Sequence, residues 1–202
     1  MIHLFKKGES RTRPTLLLLH GTGGNEEDLV PLAEIIDKKA SILSVRGNVI
    51  ENGMPRFFKR LSEGVFDEES LLSETKNLYE FIYEAAEKYE FDVNNVVALG
   101  YSNGANIAAS LLYHYQAVFK GALLHHPMVP LRNKELPDLS GIPIFIGAGE
   151  NDPLCPPEES KELQQTFEKA GAHVTVEWND HGHSLTQKEI MAAAEWYSKR
   201  FN

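Results

Sequence analysis

A serine framed by glycines is the residue of this chain best suited to nucleophilic chemistry. The sequence reads Gly-Tyr-Ser-Asn-Gly over residues 100–104, after an apolar run and before a stretch of small residues. Small residues two places before and after Ser102 permit a tight turn between a strand and a helix. Such a turn raises the Ser102 hydroxyl above the sheet and beside the free N–H groups of a helix N-terminus. The alternative is an ordinary flexible turn.

A nucleophilic serine needs a base, and the base needs an acid that orients it. At strand-to-helix elbows of this kind the order along the chain is Ser, then Asp or Glu, then His. The apolar run 144–148 leads into a small-residue loop that carries Glu150 and Asp152. We favour Asp152, because Pro153 and Pro156 stiffen the loop that would aim it. Glu150 is the alternative acid, and either carboxylate could be only a solvated loop residue.

Two histidines follow the last predicted strand, in the segment Asn-Asp-His-Gly-His-Ser. His183 is favoured as the base, because Gly182 gives the chain freedom to turn and Ser184 is a predicted N-cap of the final helix. His181 stands beside Asp180, where a structural hydrogen bond is the simpler explanation.

A metal site is the alternative use of the histidines. Companion ligands at a recognisable spacing are missing, and a serine mechanism accounts for the same residues. We therefore expect no metal and no organic cofactor. Five of the eight histidines lie near predicted strand ends: His20, His125, His126, His181 and His183.

A glycine-rich segment, His-Gly-Thr-Gly-Gly-Asn over residues 20–25, follows the first long apolar run. It lacks the Gly-Lys-Ser/Thr ending of a nucleotide-binding loop and the spacing of a dinucleotide fingerprint. We interpret it as an oxyanion loop, in which the backbone N–H of Thr22 joins that of Asn103 in holding a negatively charged oxygen. A plain tight turn is the alternative.

Short apolar runs alternate with longer amphipathic stretches, which predicts an α/β architecture: a mostly parallel central sheet with helices on both faces. Most runs are continuously apolar, as expected for strands covered on both sides. The predicted strands cover residues 2–5, 15–20, 40–45, 96–99, 122–124, 144–148 and 174–178. The predicted helices cover residues 26–38, 68–89, 102–115, 157–170 and 185–201.

Several helix boundaries carry their own marks. Pro157 suits a first helical position, Gly171 can end a helix in the left-handed conformation, and Ser184 with Gln187 forms a capping-box pattern.

Residues 47–66 show no clear period, and we predict a functional loop there. The candidates for an apolar wall around the substrate are Met54, Phe57, Phe58, His126 and Met128. The candidates for anion recognition are Arg46 and Arg56. The alternative is that the aromatic residues belong to the core and the arginines are exposed.

The length of 202 residues suits one hydrophobic core, so we expect a single domain over residues 1–202 with minimal or no lid. Twenty Lys and Arg against 29 Asp and Glu give a net charge of −9. This balance disfavours binding to nucleic acid or to an anionic membrane surface. The lone Cys155 requires no oxidising compartment, and the N-terminus carries no export or membrane-spanning pattern. We therefore expect a cytoplasmic protein.

Taken in order, four segments resemble the phospholipase/carboxylesterase family of α/β-hydrolases. They are residues 20–24, 100–104, 152–156 and 182–184, and the resemblance covers nearly the whole chain. It implies an α/β-hydrolase fold with Ser102 as nucleophile, Asp152 as acid and His183 as base. It also implies Thr22 and Asn103 as the oxyanion donors. Residues 44–49 and the pair Phe-Phe that follows them are similar to the small bacterial carboxylesterase branch.

Two features depart from related groups. In acyl-protein thioesterases Gln typically follows the nucleophile and an Asp lies in the oxyanion loop, whereas this chain has Asn103 and no Asp over residues 22–25. Dienelactone hydrolases, which are more distant relatives, use a cysteine nucleophile. Here Ser102 occupies that place, and Cys155 is expected to be a packing thiol.

These features predict a serine carboxylesterase that hydrolyses small or short-acyl carboxylic esters through an acyl-enzyme intermediate. A thioesterase or lysophospholipase with the same triad is the alternative enzyme. A catalytically silent binding protein of the same fold is the alternative from another class. The expected partner is a small-molecule ester, and a homodimer is left open.

Overall fold

The computed structural model describes residues 1–10 and 12–201. Along these residues the strands are β1 His3–Lys6, β2 Thr15–Leu19, β3 Ile42–Val45, β4 Val49–Glu51, β5 Met54–Arg56, β6 Arg60–Ser62, β7 Val65–Phe66, β8 Val96–Tyr101, β9 Gly121–His125, β10 Pro143–Gly149 and β11 His173–Asn179. The helices are α1 Val30–Asp37, α2 Glu68–Tyr89, α3 Asn103–His114, α4 Pro157–Lys169 and α5 Gln187–Phe201.

Seven strands form the central sheet, in the order β1-β3-β2-β8-β9-β10-β11. Strand β1 pairs antiparallel with β3, and the other pairs of this sheet are parallel. The α/β-hydrolase prediction, with a mostly parallel sheet and helices on both faces, is confirmed. Parallel strands bring their carboxyl ends to one edge, so the loops after β2, β8, β9, β10 and β11 meet there.

Strand β2 shows why the sheet is covered on both sides. Its sequence Thr-Leu-Leu-Leu-Leu has no polar alternation, and all five residues are buried. Leu16 and Leu18 join the cluster beneath α1 and α5, whereas Leu17 and Leu19 join the cluster beneath α2, α3 and α4. Successive side chains of a strand point to opposite faces, so two apolar layers need this continuous run.

Two predicted helix starts are wrong. Helix α1 begins at Val30 rather than at residue 26, because Pro31 lacks a backbone N–H and is accommodated only in the first turn of a helix. Helix α5 begins at Gln187, and Thr186 Oγ1 accepts a hydrogen bond from the Glu189 amide at 3.1 Å. Thr186 therefore caps this helix, and the predicted cap at Ser184 is wrong.

Other boundary predictions hold. Pro157 is the first residue of α4, and Gly171 follows its end with φ +96°. Helix α2 begins and ends where the sequence predicts, with Asp67 Oδ1 accepting a hydrogen bond from the Ser70 amide at 3.0 Å. None of the helices within the described residues has the length and apolar character needed to cross a membrane. The expectation of a single domain stays a prediction.

The segment predicted to be a loop, residues 47–66, contains two small antiparallel pairs, β4 with β5 and β6 with β7. These hairpins are separate from the central sheet. Asn52 and Gly53 form the first turn with φ values of +52° and +79°, which explains the Asn-Gly sequence. The segment is therefore folded against the body of the protein rather than extended over it.

Candidate active site

Ser102 lies at a strained turn between β8 and α3. Its φ of +52° and ψ of −115° are unusual for a residue with a side chain, and such strain concentrates at functional sites. The Ser102 amide donates to the His125 carbonyl at 2.8 Å, which ties the turn to the neighbouring strand. A Cβ atom on Gly104 would lie 1.9 Å from the Leu19 carbonyl oxygen. The glycine is therefore required for the close approach of α3 to β2.

His183 reaches Ser102 from the loop after β11. Its Nε2 accepts a hydrogen bond from Ser102 Oγ at 2.8 Å, and its side chain keeps 18% of its surface exposed. Gly182 has a φ of +63°, a conformation that suits glycine. Tyr101 Oη donates to the His183 carbonyl oxygen at 2.5 Å and so anchors this loop to the elbow. These contacts hold the imidazole against the serine hydroxyl.

Asp152 orients the other side of that ring. His183 Nδ1 donates to Asp152 Oδ2 at 2.7 Å, while the amides of Leu154 and Cys155 donate to Oδ1 at 2.9 Å each. Burial raises the pKa of Asp152, but the Cys155 amide, His183 and further hydrogen bonds outweigh it, so the pKa lies below its ordinary value. Glu150, the alternative acid, is exposed. The structure therefore brings Asp152 rather than Glu150 to the histidine.

His181 does not face the serine. Its Nδ1 lies 2.7 Å from Asp180 Oδ1, and its side chain is 66% exposed. The ordered contacts run from Ser102 through His183 to Asp152, which is the geometry of a nucleophile, a general base and an orienting acid.

Thr22 and Asn103 both line a cavity of about 270 Å³ beside Ser102. Asn103 is the first residue of α3, where backbone N–H groups have no acceptor one turn earlier in the helix. The Asn103 side chain contacts a different residue, since its Oδ1 accepts a hydrogen bond from the Phe57 amide at 2.7 Å. The backbone groups of these two residues stay the predicted oxyanion donors.

Arg56, His126 and Met128 are the predicted pocket residues that line this cavity. The β6–β7 hairpin forms another part of the wall, through Arg60, Glu63, Gly64 and Phe66. The segment predicted to be a functional loop therefore contributes to the cavity mainly through its second half.

Arg46, Met54, Phe57 and Phe58 are not among the residues that line this cavity, and their roles in substrate binding stay predictions. Phe57 and Phe58 are completely buried in the apolar core. Arg46 donates two hydrogen bonds to the Glu26 carboxylate, at 2.5 and 2.8 Å, which occupy its guanidinium. Met54 lies in the exposed β4–β5 hairpin. The aromatic residues thus follow the alternative that assigned them to the core.

Residues 59–200 match the dienelactone hydrolase family. The chain belongs to this family. It is 60% identical over 199 residues to the Bacillus subtilis (strain 168) protein named "Putative hydrolase MhqD", with 98% of each chain covered. The crystal structure of the Bacillus cereus carboxylesterase superposes with a TM-score of 0.97 at 62% identity, covering 98% of this chain and 94% of that one.

YahD, solved with malic acid, is similar at 34% identity with a TM-score of 0.94, covering 98% of each chain. The resemblance to carboxylesterases of the α/β-hydrolase fold is confirmed, and this member of the dienelactone hydrolase family is a hydrolase.

Cys155 of this dienelactone hydrolase family member lies beside the acid. Its thiol donates to the Pro127 carbonyl at 2.7 Å, and the side chain is buried. Burial raises the pKa of the Cys155 thiol, as does the negative charge of Asp152. A thiol held in its neutral form is a poor nucleophile, so the surroundings favour the packing role.

Arg56 supports the glycine-rich loop. Its Nη1 donates to Thr22 Oγ1 at 2.7 Å and its Nε donates to the Phe58 carbonyl at 3.2 Å, while Glu51 Oε2 lies 3.5 Å from Nε. These contacts engage the guanidinium with protein groups. Arg56 therefore holds Thr22 in place, and its predicted role in anion recognition stays a prediction.

Two residues with direct contacts to the site were missed by sequence reasoning. Tyr101 anchors His183, and its position inside the Gly-Tyr-Ser-Asn-Gly motif was the available signal. Glu189 lies completely buried on the far side of His126 from Asp152 and contacts His125 and His126. No signal in the sequence indicated Glu189, because its contact with Gly147, where an added Cβ would lie 1.9 Å from Glu189 Oε1, depends on the tertiary structure.

His126, Asp152 and His183 offer three metal-ligating atoms within 4.8 Å of one another. Asp152 Oδ2 is hydrogen-bonded to both imidazoles. These hydrogen bonds link the three side chains to one another without a metal ion. The expectation that the enzyme needs no metal stays a prediction.

Proposed function

We propose that this protein is a serine carboxylesterase that hydrolyses small or short-acyl carboxylic esters through an acyl-enzyme. The observation that carries the proposal is the chain of two hydrogen bonds from Ser102 to His183, 2.8 Å, and from His183 to Asp152, 2.7 Å, beside an open cavity. The similarity to a carboxylesterase at 62% identity supports the ester as substrate class.

In the first half of the reaction Ser102 Oγ attacks the ester carbonyl carbon, and His183 Nε2 takes the hydroxyl proton. The amides of Thr22 and Asn103 stabilise the oxygen that becomes negative. Asp152 stabilises the imidazolium and keeps Nδ1 protonated. When the tetrahedral intermediate collapses, His183 gives its proton to the departing alkoxide, which leaves as an alcohol.

In the second half a water molecule attacks the acyl-enzyme. His183 takes one proton from that water, and the carboxylic acid leaves as the proton returns to Ser102 Oγ. The net change is the addition of one water across the ester bond. No redox partner is needed, because every step moves protons and electron pairs only.

The cavity favours small substrates. Its volume of about 270 Å³ is just below the usual range of ligand pockets, and the short β6–β7 hairpin forms part of its wall. Malic acid in the YahD structure is a molecule of the size expected for a small product or substrate portion. A cytoplasmic location and the oligomeric state stay predictions.

The decisive test is hydrolysis by the Ser102→Ala variant. We expect normal folding by circular dichroism and a loss of turnover by several orders of magnitude. We also expect a fluorophosphonate probe to label the wild type but not the variant. Substantial turnover in the folded variant would overturn the mechanism, and failure of wild-type labelling would favour the silent binding protein.

A substrate series tests the substrate class. p-Nitrophenyl acetate, butyrate and longer acyl esters, compared with matched acyl thioesters, separate a short-acyl esterase from a thioesterase or lysophospholipase. We expect the highest kcat/KM for the short acyl esters. A higher kcat/KM for thioesters or for long acyl chains would assign the enzyme to the alternative class.

A further inference from the structure

A second histidine lies on the carboxylate of Asp152. Asp152 Oδ2 accepts from His183 Nδ1 at 2.7 Å and from His126 Nδ1 at 2.9 Å. His126 follows β9 directly and has a φ of +53°, and its side chain is completely buried. The mechanism derived above uses the contact between Asp152 and His183 and leaves His126 without a role.

The far side of the His126 ring faces another buried carboxylate. His126 Nε2 lies 3.3 Å from Glu189 Oε2, and both side chains are completely buried. Asn179 Nδ2 donates to the same Glu189 oxygen at 3.0 Å, and His125 Nδ1 contacts Oε1. His126 is therefore enclosed between Asp152 and Glu189.

The space for Glu189 is built into the fold. An added Cβ on Gly147 would lie 1.9 Å from Glu189 Oε1 and 2.9 Å from His125 Nδ1. A side chain at this position of β10 would displace the Glu189 carboxylate from His125. The glycine therefore leaves the space that the carboxylate occupies.

The contacts of the ring favour a second proton on His126. Nδ1 lies at hydrogen-bond distance from Asp152, which as a carboxylate has no proton to donate, so Nδ1 carries a hydrogen. Nε2 makes no aligned hydrogen bond, but it lies 3.3 Å from Glu189 Oε2, where an unprotonated nitrogen would place its lone pair near a carboxylate oxygen. Two buried carboxylates are also stabilised by a positive charge between them. A doubly protonated imidazolium fits both observations.

We propose that His126 is a positioning residue that is held as an imidazolium between Asp152 and Glu189, where its hydrogen bond and its charge fix the acid of the triad. This inference rests on the serine mechanism proposed above. The titratable groups that surround His126 are Asp152, Glu189, His183, Tyr101 and, across Glu189, His125.

The pKa directions agree with this arrangement. Burial alone lowers the pKa of His126, but Glu189 and Asp152 outweigh it and the pKa lies above its ordinary value. Burial alone raises the pKa of Glu189, but the contacts with His125 and His126 bring it down to about 2.

The effect on His183 follows from the distance between the two rings. Their centroids are 5.1 Å apart. Charges at this distance interact appreciably inside a protein, so removing the charge of His126 should be visible in the pH profile of the reaction.

The first test reads the proton directly. Nitrogen-15 NMR of the histidine rings is recorded on the Ser102→Ala protein, with the His126 signals assigned by their loss in a second variant, His126→Asn. We expect both ring nitrogens of His126 to carry protons at neutral pH, and Glu189→Gln to lower the pH at which one is lost. A neutral His126 at pH 7, or the extra proton on His125, would overturn the proposal.

The second test reads the effect on the reaction. His126→Asn keeps a donor toward Asp152 but removes the charge, so the acid limb of kcat/KM should move to higher pH by about one unit, with less than roughly tenfold loss on the plateau. His126→Phe removes donor and charge and should lower the plateau further. His181→Asn is the matched control, because it removes an exposed histidine of the same loop.

The outcomes separate the two proposals. In one outcome His126→Asn folds, its kcat/KM plateau is lower, and the acid limb of its pH profile does not move. His126 would then be only a structural residue, and the inference would be overturned. Turnover by Ser102→Ala would overturn the serine mechanism, while the NMR result would still report the charge on His126. If His126→Asn does not fold, the His126 signals of Ser102→Ala are assigned by their loss in His126→Gln instead, and the same NMR result decides the question.

Discussion

Replacing Gly104 by alanine tests whether the close packing of the elbow positions the nucleophile. The new Cβ would lie 1.9 Å from the Leu19 carbonyl oxygen and 2.4 Å from its carbon, whereas ordinary contacts begin at about 3.4 Å. Both opposing atoms belong to the backbone of β2, so no side chain can rotate away. The start of α3 must therefore retreat by about 1.5 Å, which is large beside the 2.8 Å between Ser102 Oγ and His183 Nε2.

A displacement of this size removes the hydrogen bond between serine and histidine. We expect kcat to fall by roughly 100-fold or more, and the free energy of unfolding to fall by about 1–3 kcal/mol. Both are measured on one preparation, by p-nitrophenyl acetate hydrolysis and by urea denaturation.

Gly141→Ala is the matched control. Gly141 has a φ of +79°, and no atom lies within 4 Å of the Cβ position, so alanine adds backbone strain without a collision. We expect a loss of about 1 kcal/mol in stability and an unchanged kcat. If Gly104→Ala keeps wild-type stability and wild-type kcat, the helix does not depend on this contact and the reasoning fails.

Three further predictions concern the side chains around the serine. His183→Ala should abolish acyl-enzyme formation while His181→Ala retains most of the activity, as followed by the release of p-nitrophenol; the reverse result would move the base to His181. Asp152→Asn should lower kcat by roughly 10³- to 10⁴-fold in a folded protein, because the amide can present the wrong group to His183; a loss below tenfold would contradict its role. Glu189→Gln should lower the free energy of unfolding by about 3 kcal/mol near neutral pH. The pKa of Glu189 falls from its ordinary value of 4.5 to about 2 in the folded state, so its ionised carboxylate stabilises the fold at pH values above 4.5. That difference should shrink as the pH falls from 4.5 toward 2, measured by denaturation at several pH values, and a difference independent of pH would refute the charge assignment.

Much of the active-site arrangement could be predicted from local sequence patterns. The elbow around Ser102 is a local feature, because a tight turn with positive φ demands small neighbours within two residues. The acid and the base could be ranked from chain order, since the carboxyl ends of parallel strands share one edge of the sheet. The structure brings Asp152 and His183 to that edge beside Ser102.

The side-chain directions within residues 47–66 could not be predicted from such patterns. An apolar pair such as Phe57 and Phe58 suits a pocket wall and a core equally well, because both surfaces exclude water. Whether these side chains point into the core or toward the cavity depends on the hairpins and on the hydrogen bond from the Phe57 amide to the Asn103 side chain. The same holds for Arg46, whose partner Glu26 lies 20 residues earlier in the chain.

The sequence by itself determined the alternation of strands and helices, the glycines of the elbow and the order of the nucleophile, acid and base. These are consequences of steric limits and of hydrophobic patterning over a few residues. Only the tertiary structure decided that His126 lies between Asp152 and Glu189, because 63 residues separate His126 from Glu189 and their meeting requires β9, β10 and α5 to be packed together. Long-range contacts between buried charges depend on how whole elements pack, and no local pattern specifies that packing.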